Sequence, residues 1–325
     1  MEMNVIEQIN LLKRGRNAII LAHNYVPGEV QDVADFVGDS LELSIRAQNA
    51  DAPVIVCCGV SFMAETVKIL SPESIVLHPV PSAGCPMADM VTAQNIKIWK
   101  FGNLEINPES NGKNEKSPNS PISRFPNSDK VVIAYVNTTA AVKAEVDICC
   151  TSSNAERVVR SVPADKKILF LPDRNLGANV IAATGREMEL WPGCCPIHDR
   201  ITPEMALTAK ARHPNAPLIV HPECLPAVVA VADKSLSTAG MLRFVNESPA
   251  AEFIIGTEHG ILHRMRKENP GKIFHTLDIP PTCDDMKKIT LESVADALEN
   301  MRYQVELPPA LLDAARKPIE KMLNC

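Results

Sequence analysis

Aromatic residues are scarce. Eight Phe, three Tyr and two Trp make 4% of the 325 residues, so any core must be aliphatic. No C-x-x-C pair occurs, which removes the zinc-ribbon and thioredoxin-type frames. Neither G-x-G-x-x-G nor G-x-x-x-x-G-K-[ST] is present, so dinucleotide and nucleoside-triphosphate sites lose their usual signatures. No apolar run approaches the ~18 residues a membrane span requires. Lys and Arg form no stripe, and the net charge is −6; no nucleic acid and no membrane are expected as partners. The opening stretch, Met1-Glu-Met-Asn-Val-Ile-Glu-Gln8, lacks the basic and apolar regions of a signal peptide, and the expectation is a cytoplasmic protein. In that compartment ten cysteines point to metal binding, catalysis or burial rather than to disulfides.

What is present is a module written three times. Trp191-Pro-Gly-Cys-Cys-Pro-Ile-His198 puts Cys195 and His198 on a Pro/Gly-framed loop, and similar loops carry Cys85 (Gly84-Cys-Pro86) and Cys283 (Pro281-Thr-Cys-Asp284). After an amphipathic helix (Val5, Ile6, Ile9, Leu12), the first module reads as a strand Asn17–Ala22 and a helix with Val30, Val33 and Val37 on one face. A helix from Asp39-Ser40 follows, with Leu41 and Ile45 on its buried side, then a strand Pro53–Val56, a helix 61–70 and a strand Ser74–Leu77. The second runs from Lys130–Ala134 through Lys167–Phe170, and the third from Pro217–Val220 through Glu252–Ile255 and Lys272–Phe274.

The spacings repeat. His23 to Ser40, Tyr135 to Ser152 and His221 to Thr238 each span 17 residues; from those hydroxyls to Cys85, Cys195 and Cys283 the chain takes 45, 43 and 45. Strands alternating with helices predict an α/β fold. The expectation is three pseudo-threefold-related, three-layer αβα domains with parallel sheets around a central active site. The modules fall at 1–101, 130–215 and 216–325, the last with C-terminal helices. Residues 102–129, rich in Asn, Ser, Pro and Gly, read as a low-complexity surface insertion.

Ligands of such sheets lie beyond the carboxyl ends of the strands, where His23, Tyr135, His221 and Glu223 are expected. Ser40, Ser152 and Thr238 fall at helix starts, where a hydroxyl caps backbone amides and the helix dipole favours carboxylate or phosphate. Three thiols from three modules suit one iron-sulfur cluster or zinc; three ligands on four irons would leave one iron open as a Lewis acid. Cys194 and the pairs Cys57-Cys58 (at a strand end) and Cys149-Cys150 (at a helix turn) read as buried thiols. His259 and His263, four apart on an expected helix, lack an acidic partner in a recognisable frame and read as solvated or core-edge residues. Two further classes fit the same features, a hydro-lyase of the aconitase type and a zinc- or cluster-stabilised ligand sensor.

Ten ordered motifs resemble the quinolinate synthase family: Ala22-His-Asn-Tyr25, Gly38-Asp-Ser40, Gly84-Cys-Pro-Met-Ala-Asp89, Tyr135-Val-Asn-Thr-Thr139, Cys150-Thr-Ser-Ser-Asn154, Pro172-Asp-Arg-Asn-Leu176, Trp191–His198, His221-Pro-Glu-Cys224, Ser237-Thr-Ala-Gly-Met241 and Met286-Lys-Lys-Ile-Thr290. The resemblance implies a [4Fe-4S] enzyme of NAD biosynthesis that condenses iminoaspartate (iminosuccinate) with dihydroxyacetone phosphate to quinolinate, phosphate and water. It further implies that Cys85, Cys195 and Cys283 hold the cluster. His23, Ser40, Tyr135, Asn137, Ser152, His198, His221, Glu223, Ser237 and Thr238 would bind substrate, with Tyr25, His221 and Glu223 as the proton-transfer candidates. The implied partners are the two substrates and the iron-sulfur assembly machinery, with hand-over from L-aspartate oxidase left open. Asp285 stands where the family more often has Asn.

Overall fold

A computed structural model describes residues 4–100 and 129–325. The expected insertion, 102–129, lies outside these residues except for Asp129. Twelve strands are described: β1 (Ala18–His23), β2 (Phe36–Gly38), β3 (Val54–Cys58), β4 (Ile75–Leu77), β5 (Lys130–Tyr135), β6 (Ile148–Cys150), β7 (Lys167–Leu171), β8 (Glu189–Leu190), β9 (Leu218–Val220), β10 (Lys234–Ser235), β11 (Glu252–Gly256) and β12 (Ile273–Thr276). They form three parallel four-stranded sheets ordered β2-β1-β3-β4, β6-β5-β7-β8 and β10-β9-β11-β12. One topology repeated three times, with helices in the connections, is the α/β architecture that the spacing predicted. In each sheet the strand order reverses between the first and third strands, and open α/β sheets bind ligands beyond the carboxyl ends at such a reversal.

The chain divides into two compact units. The first comprises Met1–Cys85, Ile201–His221 and Ala227–Leu307, and holds the sheets β1–β4 and β9–β12. The second comprises Pro86–Arg200, Pro222–Pro226 and Pro308–Cys325, and holds the sheet β5–β8. β3 is buried throughout and β5 and β11 beyond their first residues, and all are correspondingly aliphatic: Val54-Ile-Val56 in β3, Val132-Ile133 in β5, Ile254-Ile255 in β11. Covering helices complete each unit. In the first, Val5–Arg16 packs on Leu291–Asn300; in the second, Pro309–Leu323 packs on β6.

The helix Val5–Arg16 forms as expected, closed at its start by a reciprocal pair in which Asn4 accepts from the Glu7 amide and Glu7 from the Asn4 amide. Its buried face centres on Ile9, and Ile6 is exposed. The first and third modules each contain one strand more than the pattern indicated, and the second contains two more, β6 and β8. The helix after β1 ends at Val33, and Val37 belongs to β2 rather than to a continued helix. Cys149-Cys150 likewise lie on β6, not at a helix turn. On the helix Ser40–Gln48 the buried residues are Leu43, Ser44 and Ala47, while Ile45 is exposed.

The second strand of each sheet is anchored by a repeated aspartate. Asp35, Asp147 and Asp233 accept the amides of Ile20, Val132 and Leu218 at 2.7, 2.8 and 2.8 Å, each spanning 15 residues. Lysines 13, 100 and 210 pair with these aspartates at 2.7, 3.5 and 3.0 Å. This device ties β2, β6 and β10 to the neighbouring strand although they are only two or three residues long.

Candidate functional site

In the second unit the residue groups meet around Glu223. β5 ends at Tyr135, whose hydroxyl donates to Glu223 Oε1 at 2.5 Å, and His198 Nδ1 lies 2.7 Å from Glu223 Oε2. All three side chains are buried. The backbone carrying Glu223 is held by the helix Arg174–Thr184: Asn175 Nδ2 donates to the Glu223 carbonyl at 3.2 Å, and Asn179 Nδ2 to the carbonyls of Pro222 and Cys224 at 2.9 Å each. Asn175 and Asn179 are four apart and therefore share one helix face. Neither role was read from the sequence, although Asn175 stood inside a quoted motif.

Cys195 is the residue before the helical turn Pro196–Asp199, and His198 Nδ1 is 3.3 Å from its sulfur. Cys195, His198 and Glu223 therefore sit within 4.8 Å of one another. A nucleophilic triad would use one imidazole nitrogen toward sulfur and the other toward the acid. Here a single nitrogen faces both, so His198 orients Glu223 rather than relaying a proton from the thiol. Nor is this a mononuclear ion site as it stands, because ligand atoms on a tetrahedral zinc are separated by about 3.3 Å and the His198–Glu223 pair is a hydrogen bond at 2.7 Å.

The loop reaching Cys195 is packed tightly. Trp191 is buried with its indole N–H on the Met90 carbonyl at 2.8 Å. A Cβ on Gly193 would meet the Pro172 carbonyl at 2.6 Å, so only glycine admits this approach. Asp173, fully buried, uses Oδ1 to accept the amides of Asn175 and Leu176 at 2.8 and 2.9 Å and Oδ2 to accept that of Cys195 at 3.1 Å. Burial, and then the charge of Glu223, push its carboxyl well above the usual range; the three amides pull the other way. Asn137 and Ser152 belong to the same unit. The Asn137 Oδ1 is buried without a hydrogen-bond partner among the described residues, and Ser152 lies between β6 and the helix Ala155–Ser161.

The first unit carries the other candidates. His23, the last residue of β1, accepts the Tyr25 amide through Nδ1 at 3.2 Å, which leaves the ring proton of neutral imidazole on Nε2. The two rings meet edge to face at 4.6 Å. Tyr25 OH bonds Thr257 Oγ1 at 2.7 Å, and Thr238 Oγ1 lies 3.4 Å from it. Buried His221 follows β9, with its amide on the Gly256 carbonyl.

The hydroxyls expected to cap helices do not. Asp39 caps the helix Ser40–Gln48 and Ser237 caps Thr238–Glu247, leaving Ser40 and Thr238 as the first helical residues. The two helix starts differ in charge. Asp39 and Glu42 form a reciprocal pair at the first, placing two carboxyl groups there, whereas the second has neutral Ser237 and no acid in its first turn. Only the second favours an anion.

Cys283 precedes the turn Asp284–Lys287. Its amide donates to Glu258 Oε1 at 3.2 Å; the same oxygen pairs with Lys287 Nζ at 2.9 Å, and Oε2 accepts the Gly260 amide at 2.7 Å. A Cβ at Gly260 would meet Lys287 Nζ, Glu258 Oε2 and the Tyr25 carbonyl within 2.8 Å, which makes this the second position where only glycine fits. Beside Cys85, the Gly84 amide donates to Asp285 Oδ1 at 3.2 Å.

The cysteines sort by burial. Cys57, Cys58, Cys149, Cys150, Cys194 and Cys224 are buried, while Cys85, Cys195, Cys283 and the terminal Cys325 remain partly accessible. Burial pushes Cys57 and Cys149 up to about 12 and Cys194 up to about 11, and it holds Cys58 and Cys150 well above the usual thiol range. Cys283 is also raised, by burial and by the carboxylates of Glu258 and Asp285, with the amides of Met286 and Asp285 opposing the shift. A metal ligand must be a thiolate, a form that burial disfavours in the six buried cysteines.

Two other histidine groupings do not share an ion. His259 lies before the helix Ile261–Glu268 rather than on it and faces the Pro281 carbonyl at 3.2 Å, while His263 faces Asp32 at 3.0 Å. His213 and His275 stack face to face at 3.5 Å, beside Glu252 on His275 at 2.8 Å. Nearly parallel rings that far apart cannot both contain one ion in their planes.

None of the described helices is long and apolar enough to cross a membrane. The family model described as "Quinolinate synthetase A protein" matches residues 7–324. A "Quinolinate synthase" of Desulforudis audaxviator is 49% identical over 319 residues, covering 98% of this chain and 97% of the relative. "Quinolinate synthase 2" of Methanosarcina acetivorans is 46% identical over 320 residues, 98% and 95% of the two chains. A "Quinolinate synthase" of Thermodesulfovibrio yellowstonii is 44% identical over 320 residues, 98% and 97%. With nearly every residue aligned at these identities, the chain belongs to the quinolinate synthetase A family.

Proposed function

We propose that this chain is a quinolinate synthase of NAD biosynthesis, condensing iminoaspartate with dihydroxyacetone phosphate to quinolinate, phosphate and water. The observation that carries the reading is the buried chain Tyr135–Glu223–His198. A carboxylate between a phenol and an imidazole has partners that can themselves give or take a proton. Glu223 can therefore exchange a proton with a substrate carbon or oxygen while one of its oxygens stays bonded, an effect typically worth 10²–10⁴-fold. Tyr25, bonded to Thr257, and His221 are the further proton-transfer candidates.

Cys85, Cys195 and Cys283 would hold a [4Fe-4S] cluster, in keeping with their accessibility. When bound, such a group supplies an iron without a cysteine ligand, a Lewis acid for a substrate oxygen or nitrogen. The remaining work belongs to the protein. Asn137 Oδ1 has an acceptor to offer a substrate N–H or O–H, and leaving it unmet costs about 1–3 kcal/mol. Thr238, at a helix start free of carboxylates, suits a substrate carboxylate or phosphate. His23, Ser40, Ser152, His198 and Ser237 complete the proposed substrate contacts. Holding two substrates in register removes up to ~7–11 kcal/mol of the barrier to condensation.

The test is product analysis. Anaerobically purified protein with reconstituted cluster is supplied with dihydroxyacetone phosphate and with iminoaspartate generated in place from aspartate by an oxidase. Quinolinate that requires both reactants and the iron supports the proposal; its absence from cluster-loaded protein rejects it.

A further inference from the structure

Two of the three cysteine loops are held by the same device. Asp173 and Glu258 each lie two residues beyond the third strand of their sheet, β7 and β11, and each is buried. Each accepts the backbone amide of a candidate ligand, Cys195 at 3.1 Å and Cys283 at 3.2 Å. Each also accepts amides from the segment that follows its strand, those of Asn175 and Leu176 in one case and of Gly260 in the other. A carboxylate thus ties the end of a central strand to the cysteine 22 or 25 residues further on. In the first module the equivalent position is Val60, and the loop is held differently: Ser61 donates its amide to the Ala83 carbonyl at 2.8 Å, while Asp285 accepts that of Gly84.

We infer that Asp173 and Glu258 are positioning residues that fix the backbone of Cys195 and Cys283, so that each sulfur is presented in one place before any metal arrives. The inference rests on the reading of these cysteines as cluster ligands. Outer groups that orient ligands typically change metal affinity by about 10–100-fold when removed.

D173N retains one carbonyl oxygen, which the two helix amides claim, and turns an NH₂ group toward the Cys195 amide, donor against donor. E258Q creates the same conflict at either Cys283 or Gly260. Reconstituted wild type and variants are compared by iron content and by the rate of iron loss to a chelator; each variant should lose iron about 10–100-fold faster. In the metal-free proteins, iodoacetamide labelling read by mass spectrometry should change at Cys195 alone in D173N and at Cys283 alone in E258Q. Unaltered iron loss and unaltered labelling overturn the inference, as does labelling that rises at all ten cysteines together. A wild type that takes up no iron rejects the cluster reading instead, and the labelling still decides whether the carboxylates set the loops.

Discussion

Two glutamates, one in each unit, are buried to nearly the same degree and do different things. Glu258 is held by fixed donors, the amides of Gly260 and Cys283 and the ammonium of Lys287, and the nearby imidazole, His259, stands off at 3.5 Å with its Nδ1 on the Pro281 carbonyl. Glu223 faces a tyrosine hydroxyl and a histidine nitrogen. Burial is common to both and so identifies neither as catalytic; the partners do. Amides and ammonium groups satisfy a carboxylate and hold it, whereas phenol and imidazole can share a proton with it. The same contrast separates the two helix starts. Acids at Ser40–Gln48 consume the local amides, and their absence at Thr238–Glu247 leaves that end open to an anion.

The largest effect should come from E223Q, which keeps the size of the side chain and removes its basicity. Turnover to quinolinate should fall by about 10²–10⁴-fold with the cluster absorbance unchanged, as followed by product formation and visible spectra. Retained turnover would erase the distinction between the two glutamates. E258A should act on stability, because it leaves two amides unmet and removes the carboxylate from Lys287, which keeps only the Tyr25 carbonyl. A loss of about 3 kcal/mol in denaturant unfolding is expected, with Lys287 partly exposed and so keeping the effect toward the lower end. Y135F removes one hydrogen bond to a buried carboxylate, which should cost ~1.5–3 kcal/mol in unfolding free energy and also lower kcat/KM about tenfold or more. A loss of stability with kcat/KM unchanged would class Tyr135 with the fixed partners of Glu258.

The smallest effect concerns a buried histidine that is held in the manner of Glu258. His78 bonds the Gly59 carbonyl at 3.0 Å, and burial lowers its pKa below the ordinary 6.5. The unfolded chain therefore binds more protons between the lowered value and 6.5, and stability rises with pH across that window. Acidification from neutral pH should cost wild type slightly more than H78N, as read from unfolding midpoints at a series of pH values.

Much of this architecture can be read from the chain. The 17-residue interval recurs in all three modules; Ser40 and Thr238 do open helices, whereas in the second module the helix begins at Ala155, three residues past Ser152. The second strand of each sheet escaped because two or three residues cannot display an alternation. Its marker was nevertheless present, since Asp35, Asp147 and Asp233 each stand 15 residues after an apolar residue of the preceding strand and bond its amide. The site was partly legible. Tyr135, His198 and Glu223 were named from motifs and meet around one carboxylate; Asp173 and Asn175 stood in a motif without a role, and Asn179 and Glu258 stood in none. Their work is done on backbone groups distant in sequence, and side-chain identity alone carries no record of which amide or carbonyl it will face.

The sequence by itself determined the threefold α/β repeat and the set of polar residues at its strand ends, because periodicity and turn chemistry are local properties. Only the tertiary structure decided which glutamate is locked and which can exchange a proton, which hydroxyls are spent on capping, and which cysteines stay accessible. Those outcomes depend on desolvation and on partners reached across tens of residues, and they exist only once the chain has closed on itself.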